Sequence, residues 1–186
     1  MAKVIVGMSM SVDGFVSDDQ GSVALLYPDF EAFQKSDLLK ETIEQTGAVV
    51  MGRKAFAMAD DPDWYAGNYE FQVPIFVLTH EIPARHPKET DKLSFTFVTD
   101  GIERAIEQAK AAAGDKDVTV IGGASTIRQC LEARVADELH IDLMPVLLGG
   151  GLRLFEDLGI APIQLERLKV VSLPGGRTHF RFRVEK

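Results

Sequence analysis

The sequence predicts an α/β fold: a mixed, mostly parallel sheet flanked by helices and completed by a C-terminal antiparallel hairpin. Short apolar runs rich in β-branched residues alternate with stretches of helical periodicity. Strands separated by helices pair in parallel through crossover connections. The last two apolar runs are joined by Pro174-Gly175-Gly176, a connection that suits a hairpin. With 186 residues, 46% of them hydrophobic, the chain is expected to form one domain over residues 1–186.

The first half of the chain begins with a strand that the turn pair Asp13-Gly14 ends. Apolar residues at near-helical spacing predict a helix over residues 28–45, with Gly47 placed to stop it. A second helix is expected to open at residues 52–54, and residues 60–69 form a polar, aromatic loop. The four β-branched or aromatic runs predicted as strands are residues 3–10, 48–51, 73–79 and 95–98.

The second half contains the clearest helix signal. Asp100 and Glu103 form a capping-box pattern, and the apolar positions from 102 to 113 trace one helical face up to Gly114. A strand, the turn Gly122-Gly123 and a helix over residues 125–133 follow. The remaining predicted strands are residues 118–121, 138–143, 165–173 and 179–184.

Charge and cysteine content exclude several classes of function. The net charge of −8 disfavours binding to nucleic acid or to an anionic membrane. A single cysteine, Cys130, cannot form a disulfide framework, and the four histidines make neither HExxH nor, with cysteine, a zinc-binding pattern. We therefore expect no metal. The N-terminal run turns polar too early for a secretory signal, so a cytoplasmic protein is expected.

Two strand-to-helix junctions carry the chemistry that the residues themselves suggest. They are Met51-Gly52-Arg53-Lys54 and the run from Ile121 to Thr126. At such junctions the backbone N–H groups and the positive end of a helix dipole face a ligand beyond the strand ends, and phosphate is the usual ligand. The two junctions could hold opposite sides of one polyphosphate ligand. Taken singly, their glycines could also do no more than make turns.

Several motifs then carry a resemblance to a known superfamily. VVMGRKAF, VPIFVLTH and VTVIGGASTIRQCL, in this order and after SVDG, closely resemble dihydrofolate reductase-like proteins. SVDGFV and LHIDLMPVLLGGGLRLFE are most similar to the reductase domain of the bifunctional riboflavin-biosynthesis deaminase-reductase. The HxE and PCxxC signature of the zinc deaminase half is absent.

The resemblance implies an NADPH-dependent reductase that transfers a hydride to a small heterocyclic substrate. The activity expected is that of a 5-amino-6-(5-phosphoribosylamino)uracil reductase of riboflavin biosynthesis, and a homodimer is the expected assembly. Two alternatives stay open: a true dihydrofolate reductase, and a nucleotide-binding module without turnover. Steady NADPH oxidation separates the enzymes from the module, and the substrate separates the two enzymes.

The resemblance also assigns the cofactor contacts. Arg53 is expected to meet the adenosine 2′-phosphate, and the diglycine turn is expected to bind the pyrophosphate through its backbone. Ala55 stands where the resemblance has threonine. The full set of expected cofactor residues is Met8, Ser9, Gly52, Arg53, Lys54, Leu78, Thr79, His80, Ile121, Gly122, Gly123, Ala124, Ser125 and Thr126.

On the substrate side the candidates are carboxylates. Reduction of an imine or carbonyl requires a proton, and Asp13, at the mouth of the first strand, is the predicted catalytic and substrate residue. An Asp-Gly pair is also a favoured turn, so both roles stay open. Asp29 and Asp37 are candidates for the substrate-binding carboxylate of a helix, and Asp142 is expected to face the same pocket.

Overall fold

The structure, a computed structural model, describes residues 2–156 and 158–186. In that part of the chain the helices are short, apart from one of twelve residues. They are α1 (Phe30–Gln34), α2 (Asp37–Gln45), α3 (Arg53–Phe56), α4 (Tyr65–Asn68), α5 (Ile102–Ala113) and α6 (Ala124–Glu132). The strands are β1 (Val4–Ser11), β2 (Phe15–Ser17), β3 (Thr46–Gly52), β4 (Ile75–Leu78), β5 (Phe95–Val98), β6 (Asp117–Ile121), β7 (Glu138–Met144), β8 (Leu152–Arg153), β9 (Leu165–Ser172) and β10 (Thr178–Val184).

Eight of these strands form one sheet in the order β5-β4-β3-β6-β1-β7-β10-β9. The pairs from β5 to β7 are parallel, whereas β10 pairs antiparallel with both β7 and β9. Strands β2 and β8 make a separate antiparallel pair. The mixed, mostly parallel sheet with a C-terminal hairpin is therefore confirmed.

Two apolar layers cover the sheet. On one face α5 and α6 pack against the central strands through residues with almost no exposed surface, such as Val6, Val120, Ala109 and Ile127. On the other face Leu39 of α2 and an aromatic cluster that includes Tyr65 and Phe95 cover β3, β4 and β5. Burial of these layers supplies the main free energy of folding.

The direction of the strands brings the candidate residues to one edge of the sheet. Strands β1, β3, β4, β6 and β7 are parallel and so end at the same edge. Strand β10 runs in the opposite direction and therefore begins there, with Arg177 just before it. Ligands of open α/β sheets bind at this carboxyl edge.

The structure differs from the predicted elements in three places. The helix expected over 28–45 is broken between α1 and α2, because the Ser36 hydroxyl accepts a hydrogen bond from the Leu39 N–H and begins a new helix. Gly47 does not stop a helix but lies in β3, where a Cβ would come within 2.5 Å of the Ala113 carbonyl oxygen. The loop over 60–69 contains a 3₁₀ turn, Pro62–Trp64, and the short helix α4.

Candidate functional site

The two glycine turns of the predicted cofactor site touch each other. Strands β3 and β6 are neighbours, so the β3–α3 and β6–α6 turns emerge side by side. A Cβ on Gly52 would lie 2.5 Å from Oγ1 of Thr126, and a Cβ on Gly122 would lie 2.4 Å from Cβ of Ala55. Gly122 also has φ of +80°, a conformation that L side chains rarely adopt. Both glycines are therefore required for the close approach of the turns.

Gly123 begins α6 and leaves its N-terminus open. It has φ of +70° and provides no side-chain cap to the helix. A Cβ built there would meet only Thr126 Oγ1, at 3.5 Å, and would otherwise project into open space. Backbone N–H groups and the helix dipole at this end favour an anion. The turn fits a pyrophosphate that approaches where a side chain would stand.

Arg53 and Lys54 begin α3 beside these turns and are exposed. Neither forms an ion pair within residues 2–156 and 158–186. Because α3 is a single turn of four residues, the case for an anionic ligand rests on these two exposed charges and not on a helix dipole.

The end of β4 lies next to the β3–α3 turn at the carboxyl edge of the sheet. Leu78 is half-buried and His80 is exposed, whereas Thr79 is buried. The Thr79 hydroxyl donates to the Glu81 carbonyl oxygen at 2.8 Å and accepts from the Glu81 N–H at 3.2 Å. Thr79 therefore fixes the turn, and its neighbours Leu78 and His80 form the surface of this side.

Strand β1 divides the site between its two faces. Met8 packs against the core layer of α5 and α6, whereas Ser9 is 4% exposed and pairs with Asp142 of β7 in the sheet register. The Ser9 hydroxyl accepts a hydrogen bond from Nη1 of Arg177 at 2.9 Å. Ser9 thus contacts a polar cluster on the β7 side of β1, away from the glycine turns. The cluster consists of Asp29, Asp142, Arg177, His179 and Arg181.

Asp13 holds a loop in place. Its Oδ1 accepts from the Ser11 hydroxyl at 2.6 Å and the Leu148 N–H at 3.1 Å, and Oδ2 accepts from the Gly149 N–H at 2.7 Å. These hydrogen bonds, the one from Ser11 above all, lower the pKa of Asp13 to about 2. The carboxylate is an acceptor that ties the β7–β8 loop to the end of β1.

A buried arginine occupies the centre of the polar cluster. Arg177 has no exposed surface, and its Nε and Nη2 donate to the two carboxylate oxygens of Asp29 at 2.9 and 2.8 Å. The guanidinium carbon lies 4.5 Å from the ring centre of Phe33 and 5.5 Å from that of Tyr27. The hydrogen bonds from Arg177 lower the pKa of Asp29. The predicted substrate carboxylate Asp29 is thus bound by the protein's own arginine.

Asp142 lies between two basic side chains, Arg177 just before β10 and His179 within it. Its Oδ1 is 2.8 Å from Nδ1 of His179, and its Oδ2 is 3.5 Å from Nη1 of Arg177. Nε of Arg181 donates to Nε2 of His179 at 3.2 Å, and Arg181 Nη1 binds Glu41 of α2 at 3.1 Å. A chain of polar contacts therefore runs from α2 to the centre of the cluster.

The structure brings Asp13, Asp29 and Asp142 to the carboxyl edge but leaves Asp37 outside. The Asp37 side chain is 99% exposed and pairs with Lys40 on the surface of α2. Sequence reasoning missed Arg177, His179 and Arg181. Their signal is the alternation RTHFRFR, in which every second residue of a strand is basic and so shares one face.

Comparison with known proteins gives a consistent result. The profile of a family described as RibD C-terminal domain matches residues 2–177. The Bacillus subtilis protein YyaP, described as uncharacterized, is 25% identical over an alignment of 169 residues that covers 84% of this chain and 81% of YyaP. No helix in the described part of the chain has the length and apolar character needed to cross a membrane.

Solved structures share the fold. A putative riboflavin biosynthesis protein from Shewanella sp. PV-4 aligns with a TM-score of 0.78 and 23% identity over the whole of both chains. A deaminase/5-amino-6-(5-phosphoribosylamino)uracil reductase from Thermotoga maritima aligns with a TM-score of 0.68 and 15% identity, over 99% of this chain and 57% of that chain. Dihydrofolate reductase from Enterococcus faecalis aligns with a TM-score of 0.59 and 15% identity, over 99% of this chain and 97% of that chain.

Proposed function

Because the chain belongs to the RibD C-terminal domain family, we propose that it is an NADPH-dependent reductase of a small heterocyclic substrate. The activity proposed is of the 5-amino-6-(5-phosphoribosylamino)uracil reductase type, on a single reductase domain. One observation carries the proposal: the paired glycine turns and the polar cluster lie at the same edge of the sheet, on either side of β1. This arrangement would place a site for the phosphates of a cofactor next to a site for the substrate.

The residues at the turns suit NADPH. Gly123 leaves room for a pyrophosphate beside the backbone, Gly52 and Gly122 bring the two turns together, and Arg53 offers a donor fork to a 2′-phosphate. When bound, the cofactor would supply the hydride, and the chain would hold and orient the two reactants. Lys54 adds positive charge, so the same edge attracts an anionic cofactor although the net charge of the protein is −8.

On the substrate side, Asp142 is the carboxylate best placed to bind a ligand. The Asp142 side chain is 17% exposed, whereas that of Asp29 is 5% exposed and both its oxygens accept from Arg177. A ligand that needs Asp29 would have to displace a buried guanidinium. This observation disfavours the dihydrofolate reductase alternative, whose substrate was expected to bind a carboxylate of this helix.

The sequence makes Asp13 the candidate for proton transfer, but its hydrogen bonds favour a different role. Its pKa of about 2 makes the carboxylate a poor proton donor at neutral pH. We propose that Asp13 supports the reaction by fixing the β7–β8 loop over the substrate side, while a water molecule supplies the proton. The loop carries the triglycine Gly149-Gly150-Gly151, so its order depends on this anchor.

The proposed assembly is a homodimer, supported by the exposed edge strand β9. Leu165 and Val170 of this strand are 41% and 45% exposed. Leu168 is a bulged extra residue in β9, which puts Glu166 and Lys169 on one face, so antiparallel pairing about a twofold axis between Arg167 and Leu168 would set Glu166 against the partner's Lys169. The same register would set Leu165 against the partner's Val170. The strand is therefore complementary to itself in charge and in apolar surface.

Cofactor binding is tested with Gly123→Val. Because Gly123 stands where the pyrophosphate would approach, we expect this variant to lose NADPH binding while it keeps its fold. Gly114→Val is the matched control, because Gly114 has φ of +63° and no atom within 4 Å of its Cβ, so it carries the same backbone strain elsewhere. NADPH at 100 times its dissociation constant should stabilise the wild type and the control by about 2.7 kcal/mol in thermal unfolding.

Turnover is tested by NADPH oxidation with 5-amino-6-(5-phosphoribosylamino)uracil and, separately, with dihydrofolate. We expect oxidation with the pyrimidine. Oxidation with dihydrofolate alone would refute the substrate assignment. NADPH binding without oxidation by either compound would indicate a nucleotide-binding module, and normal NADPH binding by Gly123→Val would refute the cofactor site.

A further inference from the structure

His179 is buried between an acceptor and a donor. It is 5% exposed, with Nδ1 at 2.8 Å from Asp142 Oδ1 and Nε2 at 3.2 Å from Nε of Arg181. Arg181 is itself fixed, because its Nη1 binds the carboxylate of Glu41 on α2. Both ring nitrogens of His179 thus have partners whose positions are set by other elements.

These partners select one tautomer of the imidazole. The Nε–H of arginine can only donate, so Nε2 of His179 must carry a lone pair. The proton of the neutral ring is therefore on Nδ1 and is donated to Asp142. His140, whose ring centre lies 5.3 Å away, adds no charge here, because burial lowers its pKa to about 4.

The same geometry excludes a proton wire through His179. A relay would need a proton to arrive at Nε2, and Arg181, which keeps its own proton, blocks that nitrogen. The contact between His179 and Asp142 instead fixes the orientation of the Asp142 carboxylate. Arg177 supports the other oxygen of Asp142 at 3.5 Å, so both oxygens are held by side chains of residues 177 and 179.

We propose that His179 and Arg181 are positioning residues, which hold Asp142 as an acceptor for an N–H or O–H group of the substrate. This inference rests on the proposed function and deepens it. It specifies a substrate with a hydrogen-bond donor at the end that meets Asp142, as a uracil ring or a sugar hydroxyl provides. Of the carboxylates in the cluster, Asp142 is also the one with exposed surface to offer such a group.

The first test is the tautomer itself. Long-range ¹H–¹⁵N correlation spectra of the histidine rings in the wild type at neutral pH should show His179 with its proton on Nδ1 and a lone pair on Nε2. This measurement needs neither substrate nor activity. A proton on Nε2, or a doubly protonated ring, would overturn the inference.

The second test uses two substitutions that keep different halves of the contact. His179→Asn places an amide N–H near the position of Nδ1 and keeps a donor for Asp142. His179→Gln places its amide near Nε2, keeps a partner for Arg181 and loses the donor to Asp142. We expect KM for 5-amino-6-(5-phosphoribosylamino)uracil to rise about tenfold or more in His179→Gln and to recover largely in His179→Asn.

Controls separate positioning from a loss of fold. The dissociation constant of NADPH should stay within about twofold of the wild-type value in both variants. A merely structural defect would instead weaken the binding of NADPH as well as that of the pyrimidine. His140→Gln is the matched control on the neighbouring ring, since His140 binds Glu138 and not Asp142. Equal effects of the Asn and Gln variants on KM would overturn the inference.

The experiments also distinguish failure of the proposed function from failure of the role assigned to His179. If the wild type binds the pyrimidine in calorimetry without oxidising NADPH, the reductase assignment fails, and the dissociation constants of the pyrimidine for the two variants still decide the role of His179. If the wild type does not bind the pyrimidine at all, both proposals are refuted for this substrate class.

Discussion

Every nitrogen of the Arg177 guanidinium donates a hydrogen bond inside the protein. Nε and Nη2 bind Asp29, Nη2 also reaches the Leu26 carbonyl oxygen, and Nη1 binds Ser9. Burial of a charge is costly unless such partners replace water. The aromatic faces of Phe33 and Tyr27 add cation–π attraction on the remaining surface. The fold therefore depends on Asp29, which the sequence suggested as a ligand-binding residue.

The first prediction concerns this pair. Asp29→Asn leaves the Arg177 charge buried with one partner weakened, so we expect the free energy of unfolding to fall by about 3 kcal/mol. Asp37→Asn is the control, because the Asp37 side chain is 99% exposed and its ion pair with Lys40 is at the surface. Urea unfolding of both variants measures the difference. An Asp29→Asn variant as stable as the control would contradict the account of the cluster.

The second prediction concerns Arg53. A charge-assisted hydrogen bond contributes about 1.5 to 3 kcal/mol, so Arg53→Ala should weaken NADPH binding by roughly 10- to 150-fold and NADH binding far less. The preference for NADPH should also decrease as salt rises, because the contact is exposed and ionic. Arg183→Ala, an exposed arginine paired with Glu166 near the opposite edge of the sheet, is the control. Equal losses for both cofactors would exclude the 2′-phosphate contact.

At the scale of elements, the Asp13 carboxylate holds the loop after β1 against the loop before β8. Asp13 follows β1 and accepts the N–H groups of Leu148 and Gly149, which precede β8. The β2–β8 pair is only two or three residues long on each side and forms next to this contact. Such short strands have little periodicity of their own, which is why the sequence did not predict them.

The third prediction follows from the low pKa of Asp13. Its folded pKa of about 2 lies below the ordinary value of 3.8, so the stability that Asp13 contributes is present above pH 3.8. It is lost as the pH falls through about 2. The difference in the free energy of unfolding between wild type and Asp13→Asn should therefore shrink between pH 5 and pH 2 in urea titrations. A difference independent of pH would contradict the assigned hydrogen bonds.

The same variant tests the functional role of the loop. Asp13→Asn should lower turnover while the dissociation constant of NADPH stays nearly unchanged, because Asp13 lies on the substrate side. Wild-type turnover in the variant would remove Asp13 from the list of functional residues.

Local signals predicted the elements better than the contacts between them. The apolar face placed α5 at residues 102–113, as observed, but the capping box predicted from Asp100 and Glu103 was wrong, because Gly101 is the N-cap and no side chain caps the helix. The break between α1 and α2 had a local signal too, in Ser36 followed by apolar residues, but helical spacing on both sides masked it. The partners of Arg177 were not predictable in this way, because Asp29 lies 148 residues earlier and only the sheet order brings them together.

At the scale of the whole molecule, the two outermost strands of the sheet, β5 and β9, differ in length and exposure. Strand β5 is four residues long, whereas β9 has eight residues that are almost all exposed. An edge strand with free backbone groups pairs readily with another strand unless it is blocked. The proposed homodimer would bury this edge.

The fourth prediction is that Val170→Lys makes the protein monomeric at concentrations where the wild type is a dimer. The charge would disrupt apolar pairing across the twofold axis. Sedimentation equilibrium measures the mass of both proteins. Ile82→Lys, on an exposed loop outside β9, is the control and should leave the mass unchanged. A wild-type monomer, or a dimeric Val170→Lys, would refute the β9 interface.

The contact between Gly122 and Ala55 has a consequence for sequence change in this protein. The two turns of the proposed cofactor site are packed so closely that positions 55 and 122 cannot be enlarged independently: a larger residue at 55 presses on the backbone at 122, and any side chain at 122 presses on residue 55. Substitutions in the two turns are therefore expected to be epistatic. Libraries that aim to change the cofactor should vary positions 52 and 55 together with 122 and 126, since enlarging a residue on one side of these contacts alone would be rejected for reasons of packing before cofactor preference is tested.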